Sequence, residues 1–118
     1  AIRRWFTDTY LKENKEMYDK IFNILDENNQ SNFLRAYKLF VKYEDDDQIL
    51  DDIKVNSLVT TGQYDVGSTT EMAKNLSEKI KGSKYIEIPG GKHLCNIECA
   101  EYFNKTLEKF IDKNYEHN

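Results

Sequence analysis

An aspartate and a histidine carry the clearest chemistry in this sequence. Asp65 ends the tetrad Gly62-Gln63-Tyr64-Asp65, which follows a β-branched run from Val55 to Thr61. His93 ends Pro89-Gly90-Gly91-Lys92-His93, which follows Tyr85, Ile86 and Ile88. An acid on one strand-end loop and a histidine on the next are two thirds of a nucleophilic triad. The histidine takes the proton of the nucleophile and later activates water, and the acid fixes its tautomer and stabilises the imidazolium. Glycines before His93 allow a tight loop that aims the imidazole back over the sheet. The third member, an activated Ser, Cys or Asp on a strand-to-helix turn, is not among the 118 residues. Gly67-Ser68 is not a nucleophile elbow, because no second glycine follows. Taken singly, an Asp after a strand is usually a turn former or a cap, and a lone His is usually a surface or satisfied residue. The pair is what points to catalysis. His117, in the polar tail, is no candidate.

Two other constellations are weaker. His93, Cys95, Glu98 and Cys99 place thiols one helical turn apart, but a zinc site wants a second ligand pair at a distance, and the sequence has none. Two small, partly buried thiols at a helix start are the simpler reading. Glu44 to Asp47 is an acidic run without the spacing or glycine of a calcium loop, and reads as a solvated linker. No metal and no cofactor is expected.

The elements that must position Asp65 and His93 follow from pattern. Ile2, Trp5, Phe6, Thr9 and Tyr10 fall near helical spacing over residues 1–12. Met17, Ile21, Ile24 and Leu25 line a helix over 14–25 that Asn28-Asn29-Gln30 breaks. Ser31 is the expected N-cap of the next helix, whose apolar side is Phe33, Ala36, Tyr37, Phe40 and Val41. A boundary near residue 45 divides this helical block, 1–44, from an α/β block, 45–118. A short helical turn, Gln48 to Ile53, leads into a first strand, Val55 to Thr61, suited to burial on both faces. Ser68-Thr69-Thr70-Glu71 fits a capping box with Ser68 as N-cap. The helix behind it carries Met72, Leu76 and Ile80 and stops at Gly82. Tyr85 to Ile88 is the second strand. A last amphipathic helix carries Ala100, Phe103, Leu107, Phe110 and Ile111, with a polar tail expected to fray from Lys113.

Two strands joined by a helical crossover are predicted to be parallel and right-handed. Asp65 and His93 then share the C-terminal strand edge, where functional groups of open α/β sheets gather. One βαβ unit cannot cover both faces of a parallel sheet, so the sheet is expected to lack strands. Seventeen basic against 21 acidic residues, a net charge of −4, argue against nucleic acid and anionic lipid. No apolar run approaches the ~20 residues of a membrane span. No signal peptide opens the sequence, and two cysteines are too few for a disulfide scaffold. A cytoplasmic protein is the expectation.

From Leu50 to Ile111 the sequence resembles the C-terminal part of the α/β-hydrolase fold, nearest the branch of 3-oxoadipate enol-lactonases and similar carboxylic-ester hydrolases. The residues that carry the resemblance are IKVNSLVTTGQYDVGS and GGKHLCNIECAEYFNKTLEKF. There the family commonly has a strand with Gly and Asp, and then His-Leu, a Glu five positions on, and a Phe-bearing helix. Residues 1–44 are similar to the family's helical cap, with Arg4-Trp5-Phe6 the most telling part. The resemblance implies a partial α/β-hydrolase fold: a helical cap segment, a parallel βαβ unit and a C-terminal helix, without the N-terminal half of the sheet. It implies Asp65 as triad acid, His93 as triad base, and Trp5 and Phe6 against a small ester or lactone substrate, with the chain alone inactive. Asn56-Ser57 replaces the usual Pro-Thr ahead of the strand. The larger departure is that the Gly-x-Ser-x-Gly elbow and oxyanion loop, which precede the cap in the family, are not in this sequence. Lyase, dehalogenase and cofactor-free peroxidase relatives share the acid and the histidine, so the parent reaction stays open among them. Outside enzymology, the alternative is a non-catalytic piece that self-associates through an exposed sheet edge.

Overall fold

The computed structural model describes residues 1–44 and 46–115. Four helices come first: α1 (Ile2–Trp5), α2 (Asp8–Glu13), α3 (Lys15–Asp26) and α4 (Gln30–Lys42). The helical spacing read over residues 1–12 belongs to two helices, separated by Phe6 and Thr7. Thr7 is extended and caps α2, its Oγ1 accepting from Tyr10 N–H at 3.3 Å. Helix α4 starts before Ser31, because Asn29 takes the cap with Oδ1 accepting from Asn32 N–H at 3.0 Å. Phe33 stacks on Tyr37 along α4, Phe40 lies tilted against Tyr37, and all three stay exposed.

The α/β part follows as α5 (Asp47–Asp51), β1 (Leu58–Gly62), α6 (Thr70–Lys79), β2 (Lys84–Ile88), α7 (Cys95–Glu98) and α8 (Ala100–Asn114). The acidic stretch is structural here: Asp46 caps α5 through Gln48 N–H, and Asp47 pairs with Lys79 at 3.0 Å. Strand β1 begins at Leu58 rather than Val55, whose side chain is exposed. The two strands are parallel, with Leu58 opposite Lys84 and Gly62 opposite Ile88. Val59, Ala73 and Ile80 form the core between β1 and α6, with Leu50, Ile53 and Tyr85 packed against them. The expectation of a strand buried on both faces holds for one. Val59 and Thr61 are buried, whereas Leu58 and Thr60 are half-buried and line a cavity of about 300 Å³ against Phe103, Leu107 and Phe110 of α8.

Helix α6 is capped by Thr69, not Ser68: Thr69 Oγ1 accepts from Met72 N–H at 3.2 Å. Ser68 is unavailable because its backbone is engaged elsewhere, its N–H on Asp65 and its carbonyl accepting from Thr61 Oγ1 at 2.6 Å. The last helix is interrupted at Cys99 and then runs to Asn114, one residue past the point where fraying was expected. His117 lies outside the described residues. Among the described residues no helix is long and apolar enough to cross a membrane.

Candidate active site

Both loops at the C-terminal end of the two strands are stapled together by backbone. Gln63 N–H donates to Ile88 O at 2.9 Å and Tyr64 N–H to Gly91 O at 2.8 Å. Gln63 Oε1 accepts from Gly90 N–H at 2.9 Å. Two glycines make this approach possible. A Cβ on Gly62 would lie 2.2 Å from Lys92 O and 2.6 Å from Gly91 O. Gly90 has φ +80°, a left-handed conformation that side chains disfavour.

At the edge so formed, His93 Nδ1 lies 2.7 Å from Asp65 Oδ2. The Asp65 side chain is only 3% exposed, while that of His93 is 48% exposed. The other carboxylate oxygen, Oδ1, accepts from Gly67 N–H at 2.9 Å and Ser68 N–H at 2.8 Å. Burial pushes the Asp65 carboxyl upward. The Ser68 amide, the His93 imidazole and the Gly67 amide together outweigh it and hold the carboxyl below its ordinary value. An ionised carboxylate only accepts hydrogen bonds, so Nδ1 of His93 carries the proton it shares with Oδ2. In the neutral ring Nε2 is then bare and able to take a proton, the tautomer a general base needs.

The family resemblance sets Trp5 and Phe6 against a substrate; in the structure the Trp5 backbone is tied to the histidine loop, and the Phe6 side chain packs on Tyr10 within the N-terminal segment. The Trp5 carbonyl accepts from Leu94 N–H at 2.9 Å. Phe6 is fully buried and stacks on Tyr10 with ring centroids 5.0 Å apart. Burial of a side chain of this kind contributes about 1.5–3 kcal/mol, so Phe6 helps to hold the turn between α1 and α2 in place.

Cys95, Glu98 and Cys99 go separate ways. Cys95 is buried, and burial pushes its thiol up, with Cys99 adding to the effect. Burial, then the charge of Glu98, does the same for Cys99. Both are protonated thiols at neutral pH and so weak nucleophiles. Glu98 turns to backbone amides instead, accepting from Thr7 and Lys92. Among the described residues no group of three or more His, Cys, Asp or Glu side chains is placed to hold a metal ion. The role of Glu98 is the part of the site that residue types alone did not show, though its spacing from His93 was visible.

No protein-family model matches the chain. Among curated proteins, it is 26% identical over 115 residues to the (E)-2-((N-methylformamido)methylene)succinate hydrolase of Acinetobacter baylyi, covering 94% of this chain and 42% of that enzyme. Among solved structures, it superimposes on the enol-lactonase from Burkholderia xenovorans LB400 with a TM-score of 0.86 and 26% identity. That match covers 93% of this chain and 42% of the lactonase. The bromoperoxidase from Bacillus anthracis matches 56% of the chain and 24% of its own, with a TM-score of 0.53 and 30% identity. The chain thus spans less than half the length of the proteins it resembles.

Proposed function

This chain has the fold of the C-terminal part of an α/β-hydrolase, and from that premise we propose that it supplies the acid and base of a serine-type hydrolase acting on a carboxylic ester or lactone. The observation that carries the reading is the 2.7 Å contact between the buried Asp65 carboxylate and His93 Nδ1 at the C-terminal ends of adjacent parallel strands. In this reading a serine outside these residues attacks the carbonyl and gives its proton to His93 Nε2. Asp65 holds the tautomer and stabilises the imidazolium. His93 then returns the proton to the leaving alkoxide and activates the water that releases the acid. Residues 1–44 serve as the cap over the substrate, with Trp5 and Phe6 at its hinge with the histidine loop. The 118 residues alone are inactive, and the parent acts in the cytoplasm on a small molecule.

The test is hydrolysis of p-nitrophenyl acetate and of an enol lactone by these residues alone and by the product of the full open reading frame that contains them. Only the full product is expected to turn over. Asp65→Asn there should lower kcat on the order of 10⁴-fold, with His93→Ala at least as damaging. Wild-type rates in His93→Ala would end the proposal.

A second reading has one observation in its favour. The described sheet has only two strands, so each has one unpaired edge, and such edges invite pairing between chains. It expects a homo-oligomer in sedimentation, no turnover in any context, and indifference to Asp65→Asn.

A further inference from the structure

On the reading just given, the base must stay over the acid, yet half of the His93 side chain faces solvent and, among the described residues, a single hydrogen bond, to Asp65, holds its ring. The loop around it is held by bonds to the N-terminal segment and to Glu98. Glu98 Oε1 accepts from Lys92 N–H at 3.2 Å and from Thr7 N–H at 3.3 Å. Its Oε2 accepts from Thr7 N–H at 3.0 Å and from the Thr7 hydroxyl. Leu94 N–H, on the other flank of His93, donates to Trp5 O at 2.9 Å. Lys92 Nζ donates to Arg3 O at 2.9 Å. The residues before and after His93 are therefore both tied to the N-terminal segment Arg3 to Thr7. Among the described residues, Glu98 is the one side chain outside the loop that bonds to both the histidine loop and that segment.

We propose that Glu98 is a positioning residue for His93: its carboxylate clamps the Lys92 amide to Thr7 and so fixes the imidazole over Asp65. The carboxylate is suited to this. It offers several acceptor sites on two oxygens, and bonds from neutral donors to a charged acceptor are the strong ones. Its donors are amides at a bend between α1 and α2 and in the histidine loop, where no helix or sheet partner exists for them. The clamp also makes the helical segment and the catalytic loop one unit. A displacement of α1 and α2 is transmitted to His93 through Thr7 and Glu98, which links cap position to base position.

The experiment is NMR on the ¹⁵N-labelled chain, which needs no turnover, so its failure and the failure of the hydrolase reading are separate results. The His93 ring tautomer is read from multiple-bond ¹H–¹⁵N spectra, and amide exchange reads Lys92 and Leu94. In Glu98→Ala the Nδ1–H tautomer signature should be lost and protection at both amides should fall by about tenfold or more. The signals of Val59, Ala73 and Ile80 should stay in place. Glu98→Gln keeps one oxygen acceptor but sets an NH₂ against Thr7, and should fall between wild type and Ala. An unchanged His93 signature in a folded Glu98→Ala overturns the proposal. Should that variant lose its core signals, Glu98→Gln decides: wild-type protection and tautomer there overturn it equally, and an intermediate pattern with an intact core supports it.

Discussion

Gly62→Ala is the sharpest probe of how the two loops are joined. The new methyl would stand 2.2 Å from Lys92 O and 2.6 Å from Gly91 O, where ordinary contact begins near 3.4 Å. Both obstacles are backbone, so no side-chain rotation relieves them. The histidine loop must retreat by about 1 Å, a shift that close-packed structure resists. Overpacking of this kind costs about 1–3 kcal/mol. Against it stands a gain of about 0.4–1 kcal/mol from the stiffer unfolded chain. A retreating loop also stretches the Tyr64–Gly91 bond, now 2.8 Å, and the Asp65–His93 contact, now 2.7 Å. With about 0.5–1.5 kcal/mol for the weakened Tyr64–Gly91 hydrogen bond, the net expectation is a destabilisation of about 0.5–4 kcal/mol, read as a lower urea midpoint at unchanged m. In the full reading-frame product, a misplacement of this size should lower kcat/KM about 10²-fold. Gly67→Ala is the matched control. Its methyl meets only Asp65 Oδ1 at 3.8 Å and its φ is not positive, so stability should stay within about 0.5 kcal/mol of wild type. A wild-type midpoint for Gly62→Ala, with the His93 tautomer intact, would refute the close-approach reasoning.

Two further expectations concern the same edge. The folded Asp65 carboxyl titrates below its unfolded value of about 3.9, so its contribution to stability is present above that pH. It is lost as pH falls through the lower folded value. Urea midpoints measured down the acid limb should therefore fall less steeply for Asp65→Asn than for wild type, and identical slopes would contradict the assignment. At the start of α6, Thr69→Ala should cost about 1 kcal/mol. Ser68→Ala should cost less than half of that in the same denaturation assay, because the bonds described for Ser68 are made by its backbone.

Much of this was legible in residue order, because it depends on local pattern. The β-branched run, the Met72-Leu76-Ile80 spacing and the glycines at loop positions specify strand, helix and strand. An Asp and a His at successive strand ends then meet by topology alone, and they do so in the structure. Neighbouring residues of like chemistry were the harder choice. Ser68 and Thr69 are equal as caps in sequence, and Asn29 and Ser31 nearly so. The Asp65 turn removed Ser68 from the competition by engaging its backbone, a contact that depends on where the strand ends. The division of residues 1–12 into two helices was out of reach, since the bend at Thr7 is stabilised by Glu98 from 91 positions away. Sequence patterns report what a residue does with its neighbours within a turn or two. Which distant carboxylate meets an otherwise unpaired amide is decided only when the chain has folded and brought them within hydrogen-bond range.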